Sequence, residues 1–246
     1  MLMLLLLFVT GLWAGTQNAL AGGGSFVTLP ALILAGLDPR AANIASTVAL
    51  FPGQVTTGWA GRSLVAGAER LSFRTLAIIS LVGGVAGAFL LLQTPSSVFA
   101  AMVPWLVLAA TGLFAWSSFG PKPKAEPVPP PAWVSATIQS IIAVYSGFFG
   151  GGAGIMTLAA LTIARMPVRN AAGTKNVLVA LANISATLVF AFTVAIDWEK
   201  AIAIGAGSMI GGYAGAQALK HVPVTALKIG VVVIGVALTI GLFLRR

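Results

Sequence analysis

The sequence predicts an all-α polytopic membrane protein made of two homologous five-segment halves. The halves form an inverted repeat, each with a short glycine-broken half-helix. Three features predict this: scarce charge, a succession of apolar segments, and one pattern that recurs half a chain later. Of 246 residues, 58% are hydrophobic and 8% charged, and the mean hydropathy is +1.00. Soluble domains carry about 25% charged residues. A soluble fold of this size has too few charges to cover its surface, whereas long apolar runs with short polar breaks read as spans of a lipid bilayer.

The elements follow in order. Segment 2–20 is a leucine-rich span. Its Ala19-Leu20-Ala21 resembles a signal-cleavage site, but no basic region precedes it, so it reads as mature protein. Segment 22–37 opens with Gly22-Gly23-Gly24-Ser25 and contains Pro30. It falls short of the roughly 20 residues of a full span, so it is expected to be a half-membrane helix paired with a broken preceding one. Segment 41–61 carries polar residues inside an apolar run, and 73–92 and 98–119 are further spans. The stretch 120–132, GPKPKAEPVPPPA, is Pro-rich and charged, so it reads as an extended linker. Segments 133–149, 150–164, 171–196, 200–219 and 224–244 then repeat the plan. Repeat 1 is thus 1–119 and repeat 2 is 133–246.

Two matches support duplication. Residues 22–42 align without a gap on 151–171, placing Gly22 on Gly151, Thr28 on Thr157, and Arg40 on Arg169. Further on, SLVGGVAGA at 80–88 meets SMIGGYAGA at 208–216. Internal repeats of this kind are common in secondary transporters. An odd number of crossings inverts the second copy. The charges fit that arrangement: Arg62–Arg74, the linker, Arg165 and Arg169 fall inside, and Asp197–Lys200 outside. Arg245 and Arg246, placed outside, run against it. The net charge of +9 follows from basic residues scattered over short loops, which excludes a nucleic-acid surface.

The glycine breaks are the first candidate site. A helix that begins there presents unpaired N–H groups and a positive dipole end, so it can hold an anion without a charged side chain. The amides of Gly23, Gly24, Gly152 and Gly154 are the expected donors. Gly83, Gly84, Gly87, Gly211, Gly212 and Gly215 read as close helix packing. Polar side chains within the third segment of each half come next: Asn43, Thr47 and Gln54, and Lys175, Asn176 and Asn183. Intramembrane polar groups mark pathways or join helices. Lys175 is a ligand or a residue that reaches the interface. Arg40 and Arg169 read mainly as helix-end caps.

The absences narrow the chemistry. There is no cysteine, the single histidine lies in a loop, and all five acids fall in predicted loops. No metal cluster, acid–base pair or nucleophile triad can be assembled, so neither an enzyme nor a cofactor is expected. The expected partners are a small anion and the lipid of a cell's inner membrane, with no nucleic acid.

Two stretches carry a family likeness: GGGSFVTLPALILAGLDPRAANIASTVALFPG at 22–53 and its echo FFGGGAGIMTLAALTIARMPVRNAAGTKN at 148–176. With Ala42, Asn43, Ser46 and Thr47 standing at the family's A-N-x-x-S-T, the chain resembles the sulfite exporter TauE/SafE family over nearly its whole length. The resemblance implies a transporter of sulfite, organosulfonates or related sulfur anions, usually outward. Lys175-Asn176 departs from the small or hydroxyl residues usual there. An anion channel, or a carrier for another small anion or organic acid, is the second reading.

Overall fold

A computed structural model describes residues 1–20, 22–68, 70–120, 129–218 and scattered positions from 229 to 244. The body of the linker, most of segment 224–244, and Glu69, Glu126, Lys220, His221, Lys228, Arg245 and Arg246 lie outside the described residues. Among the described residues the regular elements are α1 (Leu2–Leu20), α2 (Ser25–Leu34), α3 (Pro39–Ala60), α4 (Phe73–Gln93), α5 (Ser96–Phe119), α6 (Ala132–Phe148), α7 (Ala153–Ile163), α8 (Val168–Thr193) and α9 (Trp198–Ala218). A 3-10 turn lies at Arg62–Leu64. Four of them (α1, α4, α5 and α8) are long and apolar enough to cross a membrane by length and composition.

Local chemistry sets the ends of these helices. Asp38 caps α3 by accepting from the amides of Arg40 and Ala41 at 3.0 and 3.2 Å, with Pro39 at the first helical position. Ser72 caps α4 through the Thr75 amide at 3.1 Å. Asp197 caps α9 through the Lys200 amide at 3.1 Å and pairs with the Lys200 ammonium. The helix α2 ends with Gly36 at φ +95°, with Leu37 N–H bonded to Leu32 O at 3.1 Å. The same cap closes α7, with Met166 N–H on Leu161 O at 3.0 Å, but there Arg165 takes the left-handed position at φ 61°.

The packing interleaves the two halves. Helix α1 lies on α9 and α6 on α4, while α3 packs on α9 and α8 on α4. Each half therefore covers its first and third helices with the other half's fourth. Glycines make these crossings close. A methyl placed on Gly211 would lie 2.0 Å from Leu12 O, and one on Gly15 2.2 Å from Ser208 O. In the matching pair, Gly87 would meet Val144 O at 2.1 Å and Gly147 would meet Gly84 O at 2.2 Å. Backbones touch at such points because lipid supplies no hydrophobic drive between helices, and dispersion over small residues replaces it.

At the centre α3 and α8 run antiparallel. Gln54 meets Asn183, Gly58 meets Val177, and Gly61 meets Gly173. Asn170 Nδ2 donates to Leu64 O at 3.0 Å, and Ala66 N–H donates to Thr174 Oγ1 at 3.0 Å. The Arg62–Arg74 loop and the start of α8 therefore share one end of the molecule. At the other end Arg40 Nη1 donates to Thr94 O at 2.8 Å, next to the C-terminus of α4. Phe99, Phe148 and Phe149 pack near that end, with ring centroids 5.7 and 6.5 Å apart. Large apolar side chains on α1, α4, α5 and α9 point outward, including Leu6, Val82, Trp105 and Ile202. That is the surface a lipid-facing bundle needs.

Candidate functional site

The helices α2 and α7 have 10 and 11 residues. At 1.5 Å per residue they are about 15 Å long, half of a ~30 Å bilayer core. The preceding helices α1 and α6 are continuous, and the break falls where each ends. The two breaks face one another. A methyl on Gly22 would lie 3.5 Å from Ile155 Cγ1, and one on Gly151 would lie 3.2 Å from Phe26 Cε1. These contacts are the same pair with the halves exchanged.

Side chains brace both breaks. Gly22, Gly23, Gly150 and Gly152 hold φ between +76° and +85°, a region open to glycine at little strain. In the first break Trp13 Nε1 donates to Gln17 Oε1 at 3.0 Å, and Gln17 Nε2 donates to Gly23 O at 3.0 Å. Gly24 N–H donates to Asn18 Oδ1 at 2.7 Å. In the second, Tyr145 Oη donates to Gly151 O at 2.7 Å.

Between the breaks and the α3–α8 crossing lies a cavity of about 30 Å³. One water needs about 10–15 Å³ by this measure, so the space takes one or two waters or one compact group. Lys175, Asn176 and Val179 of α8 line it, with Gln54 and Thr57 of α3 and Asn18 of α1. Gly22, Gly23, Ser25, Gly150 and Gly154 complete it from the breaks. No carboxylate is in this lining.

Lys175 dominates the electrostatics. It is 6% exposed, and among the described residues its ammonium has no hydrogen-bond acceptor and no acid partner. A methyl on Gly154 would lie 3.8 Å from Lys175 Nζ. The amides of Ala153, Ile155 and Met156 bond to the Gly150 and Gly152 carbonyls. Among the described residues the Gly154 amide finds no acceptor. A full positive charge and the positive end of α7 thus converge on one small space. At the equivalent place in the first half, Ser46 stands for Lys175 and closes on Thr28, oxygen to oxygen at 2.6 Å. The site therefore departs from the symmetry of its scaffold.

Comparison with known proteins places this chain in a lineage. The sulfite exporter TauE/SafE family matches residues 7–242. The chain belongs to this family. Similar proteins include a "Probable membrane transporter protein ORF9" from Sinorhizobium, 31% identical over 98% of this chain and 92% of its own length. A "Probable membrane transporter protein" from Haemophilus influenzae is 25% identical over 96% and 93%. The Escherichia coli K12 "Probable membrane transporter protein YfcA" is 27% identical over 88% and 80%. No solved structure matches the chain. This TauE/SafE protein is a multi-pass membrane transporter and not an enzyme.

Of the residues that the sequence singles out, Gly23, Gln54, Gly154, Lys175 and Asn176 meet at the cavity of this TauE/SafE chain. The rest do not line it. The Gly24 amide is taken by Asn18, and Gly152 caps α7 against Ala110. Asn43 Nδ2 donates to Phe148 O at 3.0 Å, joining α3 to the end of α6. Thr47 Oγ1 turns back onto Asn43 O. Asn183 stands behind Gln54, donating from Nδ2 to its Oε1 at 2.8 Å. Lys175 is 6% exposed and lines this cavity. Asn18 and Ser25, polar residues at the first glycine break, also line it, with Thr57, which the sequence had not singled out. Their signal was a polar residue next to a glycine break, or one turn beyond Gln54 on the same face.

Proposed function

We propose that this protein carries small sulfur-containing anions, such as sulfite or organosulfonates, outward across the inner membrane. The observation that supports it best is the buried, unpartnered Lys175 over the first turn of α7. A buried unpaired charge costs several kcal/mol, so an ionic partner is expected at that point. The family name supplies the sulfur chemistry. The cavity's size favours a compact anionic head such as a sulfite or sulfonate group.

On this reading the halves are an inverted duplication, and Gln54 with Asn183 mark its axis. These two are 129 residues apart, the same offset as Gly22 to Gly151. The antiparallel α3 and α8 fit a twofold axis in the membrane plane. The end that holds Arg62, Arg74, Arg165 and Arg169 faces the cytoplasm by the positive-inside rule. Exchange of equivalent contacts between the halves then exposes the anion alternately to each side. The membrane potential is a sufficient drive. A charge crossing 100 mV releases about 2.3 kcal/mol. A dianion gains about twice that, roughly three decades of gradient.

The test is a thermal-shift panel on purified protein with sulfite, sulfate, thiosulfate, sulfoacetate and taurine. Stabilisation by some of these anions, lost in Lys175→Ala, supports the reading. No stabilisation by any of them, or unchanged affinity in the variant, sinks it. Proteoliposome flux should saturate, show counterflow and follow an imposed potential. Unsaturable flux without counterflow makes the protein a channel.

A further inference from the structure

We propose that the strap Gly61–Gly67 is a gate over the cavity, and that Thr174 and Asn170 of α8 are the positioning residues that hold it shut. This rests on the transport reading above and adds by which end, and past which residues, the cavity is entered.

The cavity lies close to one end of the molecule. Thr57, in its lining, stands three residues before α3 ends at Ala60, and Lys175 stands seven residues after α8 begins at Val168. At 1.5 Å per residue these are about 5 and 10 Å of helix. In the other direction Gln54 is 15 residues from Pro39, about 22 Å, and Phe99, Phe148 and Phe149 pack near that end. The thin side is the one that carries Arg62 and Arg74, cytoplasmic on the reading above. The chain that leaves α3 closes it. The 3-10 turn and the residues after it cross the first turns of α8 and rest on Gly173. A methyl on Gly173 would lie 2.6 Å from Leu64 Cβ and 3.1 Å from Gly61 O.

Three polar bonds tie this strap to α8. Asn170 Nδ2 donates to Leu64 O at 3.0 Å. The Thr174 hydroxyl accepts from Ala66 N–H at 3.0 Å and donates to Ala66 O at 3.2 Å. Thr174 directly precedes Lys175, so the latch sits beside the charged wall of the cavity. Among the described residues, none of Gly61–Gly67 belongs to either apolar core cluster. A segment with few buried apolar contacts opens locally far below the cost of global unfolding. The opposite end is built otherwise. The 129-residue offset puts Ala41 and Ala45 in the places of Asn170 and Thr174, and neither offers a side-chain donor. There Val194 and Ile196, from the chain that leaves α8, pack on the main apolar core. Opening that seal wets apolar surface, whereas opening the latch exchanges protein hydrogen bonds for water ones at a small net cost. The end with the latch is therefore the one that opens first.

The chain has no cysteine, so a single introduced thiol reports access. Val179→Cys places one in the cavity lining, and Thr47→Cys places one on α3 towards the other end. Full-length protein in inside-out and right-side-out vesicles is treated with a membrane-impermeant thiol reagent. Val179→Cys should label faster from the Arg62 face. Adding Thr174→Val keeps the side chain's shape, deletes both bonds to Ala66, and should raise that rate about tenfold. Gly173→Ala lifts the strap with its methyl and should act likewise, which keeps the test alive if Thr174→Val does not fold. The Thr47→Cys rate should stay the same in both backgrounds. Equal acceleration at both thiols is general loosening and overturns the gate. So does an unchanged Val179→Cys rate in both backgrounds, or faster labelling from the opposite face. As a lock, Ala66→Cys with Thr174→Cys, joined by oxidation, should stop the flux of radiolabelled sulfite, and dithiothreitol should restore it. Undiminished flux through the cross-linked protein contradicts the proposal. If the wild type carries no sulfite, the transport reading fails instead, and the labelling rates still decide the gate.

Discussion

At the scale of single residues, Lys175 works against stability, and the proposed function gives it a reason to be there. Its charge is buried and lacks a partner among the described residues, so it works against folding of the empty protein. Replacement by an apolar side chain of similar length removes that burden and, on the proposed reading, the anion site with it. Lys175→Met should raise the melting temperature of the ligand-free protein and abolish its stabilisation by sulfur anions. Thermal shift with and without ligand checks both, and a lower melting temperature would show that the lysine supports the fold. Asp197 behaves oppositely. The hydrogen bond from Lys200 holds its carboxyl below the usual carboxylate range, against a smaller effect of burial. A lowered folded-state value means the carboxylate stabilises the fold at pH above its unfolded value. That contribution fades as pH falls through the folded value and is constant near neutrality. Asp197→Ala should cost about 1 kcal/mol at neutral pH through loss of the α9 cap. In strong acid the gap between variant and wild type should shrink, as read by denaturant midpoints.

At the scale of helices, glycine does two separate jobs. In α9 and α4 it lets backbones touch, and at the breaks it permits left-handed turns. Gly211→Ala would push a methyl to 2.0 Å from Leu12 O, so α1 and α9 must separate. A loss of about 2 kcal/mol or more is expected. Gly112 in α5 meets nothing within 4 Å. Gly112→Ala should therefore be neutral or add up to about 1 kcal/mol of helix propensity. Melting of the two variants side by side checks this, and equal destabilisation would contradict the packing argument. Helix ends were legible for a local reason. Asp38-Pro39, Ser72 and the glycine breaks punctuate the sequence, and periodic apolar runs fill the intervals. Arg165 in a left-handed cap was not legible, because only its match to Gly36 through the repeat gives it away.

At the scale of the whole molecule, the halves are covers for one another. Helix α1 finds its closest neighbour in α9, and α6 finds its own in α4. A half expressed alone would bare the glycine-lined faces of both its first and fourth helices. Residues 1–119 and 133–246 produced as separate chains should be unstable singly and should co-purify when made together. Stable, monodisperse single halves would contradict this packing. The same interleaving places the cavity between parts of both halves, so its lining draws on α1, α3 and α8 together with both breaks.

The sequence by itself determined the class of the molecule: its apolar helices, the two half-length helices and the polar residues of α3 and α8. These depend on composition and on spacing along the chain, which local physics translates directly into helices and breaks. Tertiary structure alone decided which polar groups share a space. Gln54 and Asn183 both looked like ligands, yet one faces the cavity and the other stands behind it. Asn43 and Thr47 spend their hydrogen bonds within the protein, while Asn18 lines the cavity. A side chain's partner depends on the helix that crosses it, and the crossings are set by where backbones can approach. No run of residues along one segment encodes that.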